Sequence, residues 1–68
     1  MKDYIKGLGI LVGKFTENDL KSGIDKEIVK EKQEEYNLKY TNTKIIKENG
    51  IRKLAIYVCS VYDFKIER

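Results

Sequence analysis

The stretch that decides the fold is residues 38–64, which read LKYTNTKIIKENGIRKLAIYVCSVYDF. Asn49-Gly50 in its middle is typical of a two-residue β-hairpin turn of type I′, because both central positions of that turn need a positive φ that Asn and Gly tolerate. The returning arm, Leu54–Tyr62, is rich in β-branched and aromatic residues and almost free of charge. A strand of this kind is usually covered on both faces, so we expect it at the centre of a sheet.

The turn also predicts the register of the hairpin. With Asn49 and Gly50 as the loop, Glu48 pairs with Ile51, and all other cross-strand pairs follow. Because side chains alternate along a strand, the hairpin has two different faces. The aliphatic face carries Thr41, Thr43, Ile45, Leu54, Ile56 and Val58. The mixed face carries Leu38, Tyr40, Asn42, Lys44, Ile46, Lys53, Ala55, Tyr57, Cys59 and Val61.

The segments before the hairpin predict a strand and a helix. Residues 8–15 are apolar and suit a strand; the glycines around them indicate either bulges or the close approach of another backbone or ligand. A helix is predicted over Glu17–Glu35, because Thr16 and Asp19 can form a capping box and Asn37 can end the helix in the left-handed conformation. Its apolar stripe, expected to pack on the aliphatic face of the hairpin, consists of Leu20, Ile24 and Ile28.

The order strand, helix, hairpin predicts a single α+β domain spanning residues 1–68. A right-handed crossover in this β-α-β-β unit gives a three-stranded antiparallel sheet of order 1-3-2 with one helix on one face. The mixed face, with Tyr40 and Tyr57, is then left without cover. Exposed apolar surface on a small protein usually marks an interface, so we expect a homo-oligomer, a dimer or a tetramer, built through that face or a sheet edge.

Composition narrows the class of protein. The chain has 68 residues, a single cysteine and no histidine, which leaves a thin core with neither an intramolecular disulfide nor a zinc site to reinforce it. We therefore expect no metal and no cofactor. The lone thiol suits the cytoplasm, and no stretch reaches the length of a membrane span. The net charge of +3 comes from 14 basic and 11 acidic residues in mixed order, so no stable DNA complex is expected.

Catalysis has little support in these residues. A general base would normally be a histidine, and the chain has none. Cys59 lies in the middle of the central strand with no candidate activating partner. We therefore expect a protein that is not an enzyme.

Binding has better support. Tyrosine rings stack on nucleobases at about 1–3 kcal/mol each, and lysine and arginine neutralise phosphate. The hairpin and the segment after it supply both kinds of side chain, in Tyr40, Asn42, Lys44, Arg52, Lys53, Tyr57 and Tyr62. The alternative is that the tyrosines pack a dimer interface with the lysines around its rim. The two interpretations are compatible if a pocket lies between subunits.

Four segments together resemble a known family. They are Gly9–Phe15, which ends in Phe; Thr16–Ile28, with its acidic helix start and Asp19-Leu20; Leu38-Lys39-Tyr40; and Leu54–Tyr57, which ends in an apolar-Tyr pair. This pattern resembles the small sporulation-associated proteins of spore-forming bacteria, relatives of which are also carried by phages. The chain differs from the pattern in its glycine-rich start and its longer basic tail.

In size and architecture the chain is also similar to oligomeric phage proteins that sequester the cyclic nucleotide signals of antiphage defence, such as CBASS. That similarity implies a phage-type immune-evasion sponge that captures its ligand stoichiometrically in the host cytoplasm. In such a protein Tyr40 or Tyr57 would stack on bases. Lys44, Arg52 or Lys53 would meet phosphates, and Asn42 or Thr41 would read base edges.

Two other classes of protein stay open. The first is a small sporulation-associated interaction or regulatory module that acts through its sheet face or edge, with the open edge pairing with a partner strand. The second, less favoured, is a protein that binds single-stranded nucleic acid, which would show a steep dependence on salt.

Overall fold

The hairpin has the turn and the register that the sequence predicts. The computed structural model describes residues 4–64. In it, strand β3 (Tyr40–Glu48) and strand β4 (Ile51–Cys59) pair antiparallel from Glu48 opposite Ile51 to Tyr40 opposite Cys59. Asn49 and Gly50 have φ angles of 52° and 79°, as a type I′ turn requires.

The α+β class and the central position of β4 are confirmed, but the sheet has four strands rather than three. Strand β2 (Gly9–Phe15) pairs antiparallel with β4, and strand β1 (Tyr4–Ile5) pairs with β2, so the order is β1-β2-β4-β3. The predicted 1-3-2 sheet corresponds to β2, β4 and β3. The prediction omits β1 because a strand of two residues is too short to show the alternation that identifies a strand.

The helix begins and ends near the predicted residues but is interrupted once. Helix α1 (Glu17–Ser22) has the predicted capping box: the Asp19 N–H group donates to the Thr16 hydroxyl at 3.3 Å, and the Thr16 N–H group donates to the Asp19 carboxylate at 3.1 Å. Gly23, with φ 82°, ends α1, and helix α2 (Ile24–Tyr36) follows directly. Glycine adopts this left-handed conformation without steric cost.

The interruption at Gly23 changes which residues face the sheet. Ile24 is 43% exposed and Leu20 is 37% exposed, whereas Asp25 is buried. Ile28 is half-buried. The predicted stripe of Leu20, Ile24 and Ile28 is therefore wrong at its centre, because a 3.6-residue period does not continue through a left-handed residue.

The core lies between the helices and the aliphatic face of the sheet. Its buried apolar side chains include Ile10, Phe15, Ile56 and Val58. Helix α2 packs over β2 and β4, which leaves the outer part of this face uncovered. As a result Thr43 is exposed and Ile45 is 63% exposed.

Segments near the two ends of the described chain cover part of the mixed face. The Asn42 side-chain amide is 6% exposed and donates to the backbone carbonyls of Leu8 at 3.0 Å and Asp63 at 2.9 Å. Cys59 is fully buried, and the Phe64 ring lies 5.1 Å from the Tyr40 ring. The expectation that this whole face is bare is therefore wrong near Asn42 and Cys59.

The basic tail noted in the sequence, residues 65–68, lies outside the described residues. No helix among residues 4–64, including the short 3-10 helix Val61–Asp63, is long and apolar enough to cross a membrane.

Replacing Gly9 with alanine tests how closely β2 approaches β4. A Cβ at Gly9 would overlap the Val58 carbonyl oxygen and lie 2.8 Å from the Cys59 Cβ, and the φ of 117° is strained for alanine. We expect Gly9→Ala to lower the free energy of unfolding by roughly 3 kcal/mol or more, as measured by urea denaturation. Gly7→Ala is the control, since its φ is 83° but a Cβ there meets open space. It should cost only about 1–2 kcal/mol, and equal losses would contradict the close approach.

Candidate functional site

The register separates the predicted binding residues onto the two faces of the sheet. Asn42 stands opposite Tyr57, Lys44 opposite Ala55, and Ile46 opposite Lys53. The mixed face therefore holds Tyr40, Asn42, Lys44, Lys53 and Tyr57. Thr41 pairs with Val58 and Arg52 pairs with Lys47, so Thr41 and Arg52 lie on the aliphatic face. The seven predicted residues do not form one site.

A cluster of cations surrounds a small residue on the mixed face. Ala55 stands between Lys14 of β2 and Lys44 of β3 in the cross-strand register. Lys53 and Tyr57 flank Ala55 on the same face of β4. Ala55 is only 1% exposed and has the smallest side chain in the group. We call this group of five residues the lysine face: Lys14, Lys44, Lys53, Ala55 and Tyr57.

Hydrophobic alternation does not predict that Lys14 belongs to this surface. Strict alternation would place Lys14 on the side of Ile10 and Val12, beneath the helices. The pairing of β2 with β4 shifts between Leu11 and Gly13, so Val12 is an extra residue that moves the later side chains to the other face. A bulge of this kind cannot be located from hydrophobic alternation.

A single carboxylate orders two of the lysines. The ammonium groups of Lys14 and Lys53 lie 2.6 Å and 3.4 Å from the two oxygens of Glu48. Hydrogen bonds from these lysines hold the pKa of Glu48 below its usual value. The pKa of Lys14 is raised, chiefly by its hydrogen bond to Glu48 and slightly by the nearby Tyr57.

Lys44 is the lysine of this cluster that Glu48 does not hold. Within residues 4–64 no salt bridge involves Lys44, and its side chain is exposed. The lysine face carries three lysines against the one carboxylate of Glu48, so it has an excess of positive charge beside the half-buried Tyr57 ring. It can bind an anion and offer that anion an aromatic neighbour.

Two other predicted ligand contacts have structural roles. The Tyr40 ring is tilted by 41° against the Phe64 ring. The Asn42 amide bonds the backbone near both chain ends and contacts the Cys59 sulfur at 3.5 Å. These side chains hold the ends of the chain against the sheet.

Two separate cavities lie on the helix side, along the uncovered part of β3. We call the pair the helix-side groove. Its apolar end, a cavity of about 280 Å³, is lined by Phe15, Glu17, Leu20, Ile45, Arg52, Lys53 and Leu54. Its polar end, a cavity of about 250 Å³, is lined by Asp25, Lys26, Val29, Lys30, Gln33, Thr41, Thr43 and Ile56. The sequence did not indicate this groove, because it arises from the interruption at Gly23 and from the position of α2 over β2 and β4.

Neither metal ligation nor thiol chemistry is favoured in the described chain. Residues 4–64 contain no group of three or more Cys, Asp or Glu side chains placed to hold a metal ion. Burial raises the pKa of the Cys59 thiol, and the negative charge of Asp63 raises it further. A thiol with a raised pKa is a poor nucleophile at neutral pH.

A polar cluster joins the two ends of the chain beside Cys59. The Asp63 carboxylate accepts hydrogen bonds from the Tyr4 hydroxyl and from the Gly7 N–H group, the latter at 2.9 Å. The Tyr4 oxygen also accepts from the Ser60 N–H group at 3.1 Å. The Tyr4 hydroxyl and then the Gly7 N–H group lower the pKa of Asp63. We call this cluster of Tyr4, Gly7, Ser60 and Asp63 the terminal clamp.

Comparison with known proteins adds no relative. No protein-family model matches the chain, and neither curated proteins nor solved structures give a match. The resemblance to the small sporulation-associated proteins therefore depends on the short sequence motifs alone.

The terminal clamp predicts how stability depends on pH. Because the pKa of Asp63 is lowered in the folded protein, its stabilising effect is complete above the unfolded value of about 3.9 and is lost as the pH falls through the folded value. We expect Asp63→Asn to be less stable than the wild type at pH 7. The difference should shrink as the pH falls below about 4. Urea unfolding from pH 7 to 2 measures this, with Glu34→Gln on the exposed side of α2 as the control. A difference that does not change with pH would contradict the role of the ionised carboxylate.

Proposed function

We propose that this chain is a non-enzymatic protein that captures a small anionic nucleotide as a homo-oligomer. The observation that carries the proposal is the lysine face, where Lys14, Lys44 and Lys53 surround Ala55 beside the Tyr57 ring. A phosphate group needs cations, and a base needs a flat apolar neighbour. The lysine face offers both within one patch of sheet.

The arrangement suits stoichiometric capture better than turnover. Glu48 fixes Lys14 and Lys53 before any ligand arrives, so less side-chain freedom is lost on binding. Lys44, which forms no salt bridge within residues 4–64, then supplies a charge that no carboxylate neutralises.

The resemblance to phage proteins that sequester defence signals supplies the class of ligand. A cyclic di- or trinucleotide carries two or three phosphates with bases beside them, and so matches charges interleaved with a tyrosine. Under this proposal the protein acts in the cytoplasm of a host and lowers the free concentration of a signal.

Self-association is part of the proposal, and the structure favours a different surface for it than the sequence did. The apolar end of the helix-side groove exposes Ile45 at 63% and Leu20 at 37%. Its rim carries Glu17 and Arg52, which have opposite charges. In an isologous contact each copy meets the same patch of its partner, so Glu17 of one copy can face Arg52 of the other. Of the lysine face, Lys53 alone also lines this end of the groove, so a dimer of this kind leaves Lys14, Lys44 and Tyr57 open to ligand.

Isothermal titration with a panel of cyclic di- and trinucleotides tests ligand capture. We expect binding by the wild type, weakened about tenfold or more in Lys44→Ala and in Tyr57→Ala, because a charged contact or a stacked ring is lost. Lys47→Ala is the matched control, an exposed lysine of the same strand that points to the other face. The absence of heat from the whole panel would overturn the proposal, as would an equal effect of Lys47→Ala.

Light scattering at micromolar concentration tests the assembly. We expect a mass of at least two subunits for the wild type and one subunit for Ile45→Lys, which buries a charge in the proposed contact. Ile51→Lys is the control, because Ile51 is similarly exposed, at 55%, but lies on the other face. A wild-type mass of one subunit would contradict the homo-oligomer.

The second candidate is a protein-interaction module. The observation that favours it is that β3 forms the outer edge of the sheet, with β4 as its one neighbour. A strand edge of nine residues can pair with an extended segment of a partner, whose side chains would then reach the helix-side groove. A monomeric protein that binds no nucleotide would favour this candidate over the sponge.

A further inference from the structure

The polar end of the helix-side groove contains a buried carboxylate whose hydrogen bonding is incomplete. Asp25 is 9% exposed, and its Oδ1 atom is shielded from solvent with no hydrogen-bond partner in the described chain. A buried acceptor left unpaired costs about 1–3 kcal/mol, and more when it is charged. Because Oδ1 is shielded, the Asp25 carboxylate must rotate toward the cavity to meet a ligand. A ligand hydroxyl group that pairs with it there would gain binding energy.

The groups around Asp25 restrict what that molecule can be. Lys26 and Lys30 line the same cavity, and two lysines beside one carboxylate disfavour a cation. They favour a ligand that combines hydroxyl donors with a negative charge. Thr41 and Thr43 add hydroxyl groups from the opposite wall, and these can donate or accept.

The dimensions of the cavity restrict the size of the ligand. Its volume of about 250 Å³ lies below the range of about 300–1,000 Å³ typical of sites for drug-sized ligands. A pentose phosphate is of suitable size. Aspartate is also a familiar partner of ribose hydroxyls, since one carboxylate can accept from both members of a vicinal diol.

We propose that the polar end of the helix-side groove is a binding site for a sugar phosphate with a vicinal diol, in which Asp25 accepts from the hydroxyls and Lys26 or Lys30 meets the phosphate. This site lies across the sheet from the lysine face. It does not depend on the proposed function.

Titration of ¹⁵N-labelled protein with ribose 5-phosphate, followed by NMR, tests this site. We expect chemical-shift changes at the amides of residues 25–33 and 41–43. Binding should weaken about tenfold or more in Asp25→Asn, because the charged acceptor is lost, and should be unchanged in Glu27→Gln, an exposed carboxylate of the same helix. 2-Deoxyribose 5-phosphate, which lacks one hydroxyl of the diol, should bind the wild type several-fold more weakly.

Three results would overturn the site: no shift changes at these amides, equal affinity in Asp25→Asn, or equal affinity for the deoxy sugar. If Asp25→Asn does not fold, Thr43→Val tests the site instead, because Thr43 is exposed and its replacement leaves the core intact. We expect Thr43→Val to bind ribose 5-phosphate several-fold more weakly. Unchanged affinity would overturn the site. Lys44→Ala separates the two proposals, because it should reduce binding of cyclic nucleotides but not of ribose 5-phosphate.

Discussion

The left-handed backbone at Asn49 and Gly50 is the constraint on which the rest of the structure depends. It fixes Glu48 opposite Ile51 and so fixes every pair along β3 and β4. A slip of one residue would exchange the two faces of the strand that moved: Lys44 would leave the lysine face, and Ile45 would take its place. Both candidate surfaces, on opposite sides of the sheet, therefore depend on one two-residue turn.

The parts of the fold that were predictable have strong local signals. The hairpin register, the capping box at Thr16 and the central position of β4 each follow from residues close together in sequence. The interruption at Gly23 and the extra residue at Val12 are harder to detect from the sequence. A glycine in a helix and a bulge in a strand both leave the run of apolar residues unbroken, but they change the face on which the later side chains lie. The terminal clamp joins residues 56 and 59 positions apart, and no local pattern reports such a contact.

The residues of the candidate site were also only partly predictable from the sequence. Register alone places Lys44, Lys53 and Tyr57 on one face, and that grouping holds. Lys14 could not be assigned because its side of the sheet is decided by the bulge. Asn42 has the right chemistry to read a base, but its side-chain amide already donates to backbone carbonyls. It does so because a buried polar group needs a hydrogen-bond partner within the fold. The sequence shows which groups can form hydrogen bonds but does not show which of those bonds the fold already uses.

The position of Cys59 gives this protein a natural reporter. Its thiol is fully buried next to Asn42, beneath the segments that Tyr4 and Asp63 tie together. A reagent can reach the sulfur only when those segments lift away, so the rate of thiol labelling in the native state measures how often the ends detach. Because the chain has a single cysteine, this local opening can be followed without an engineered probe.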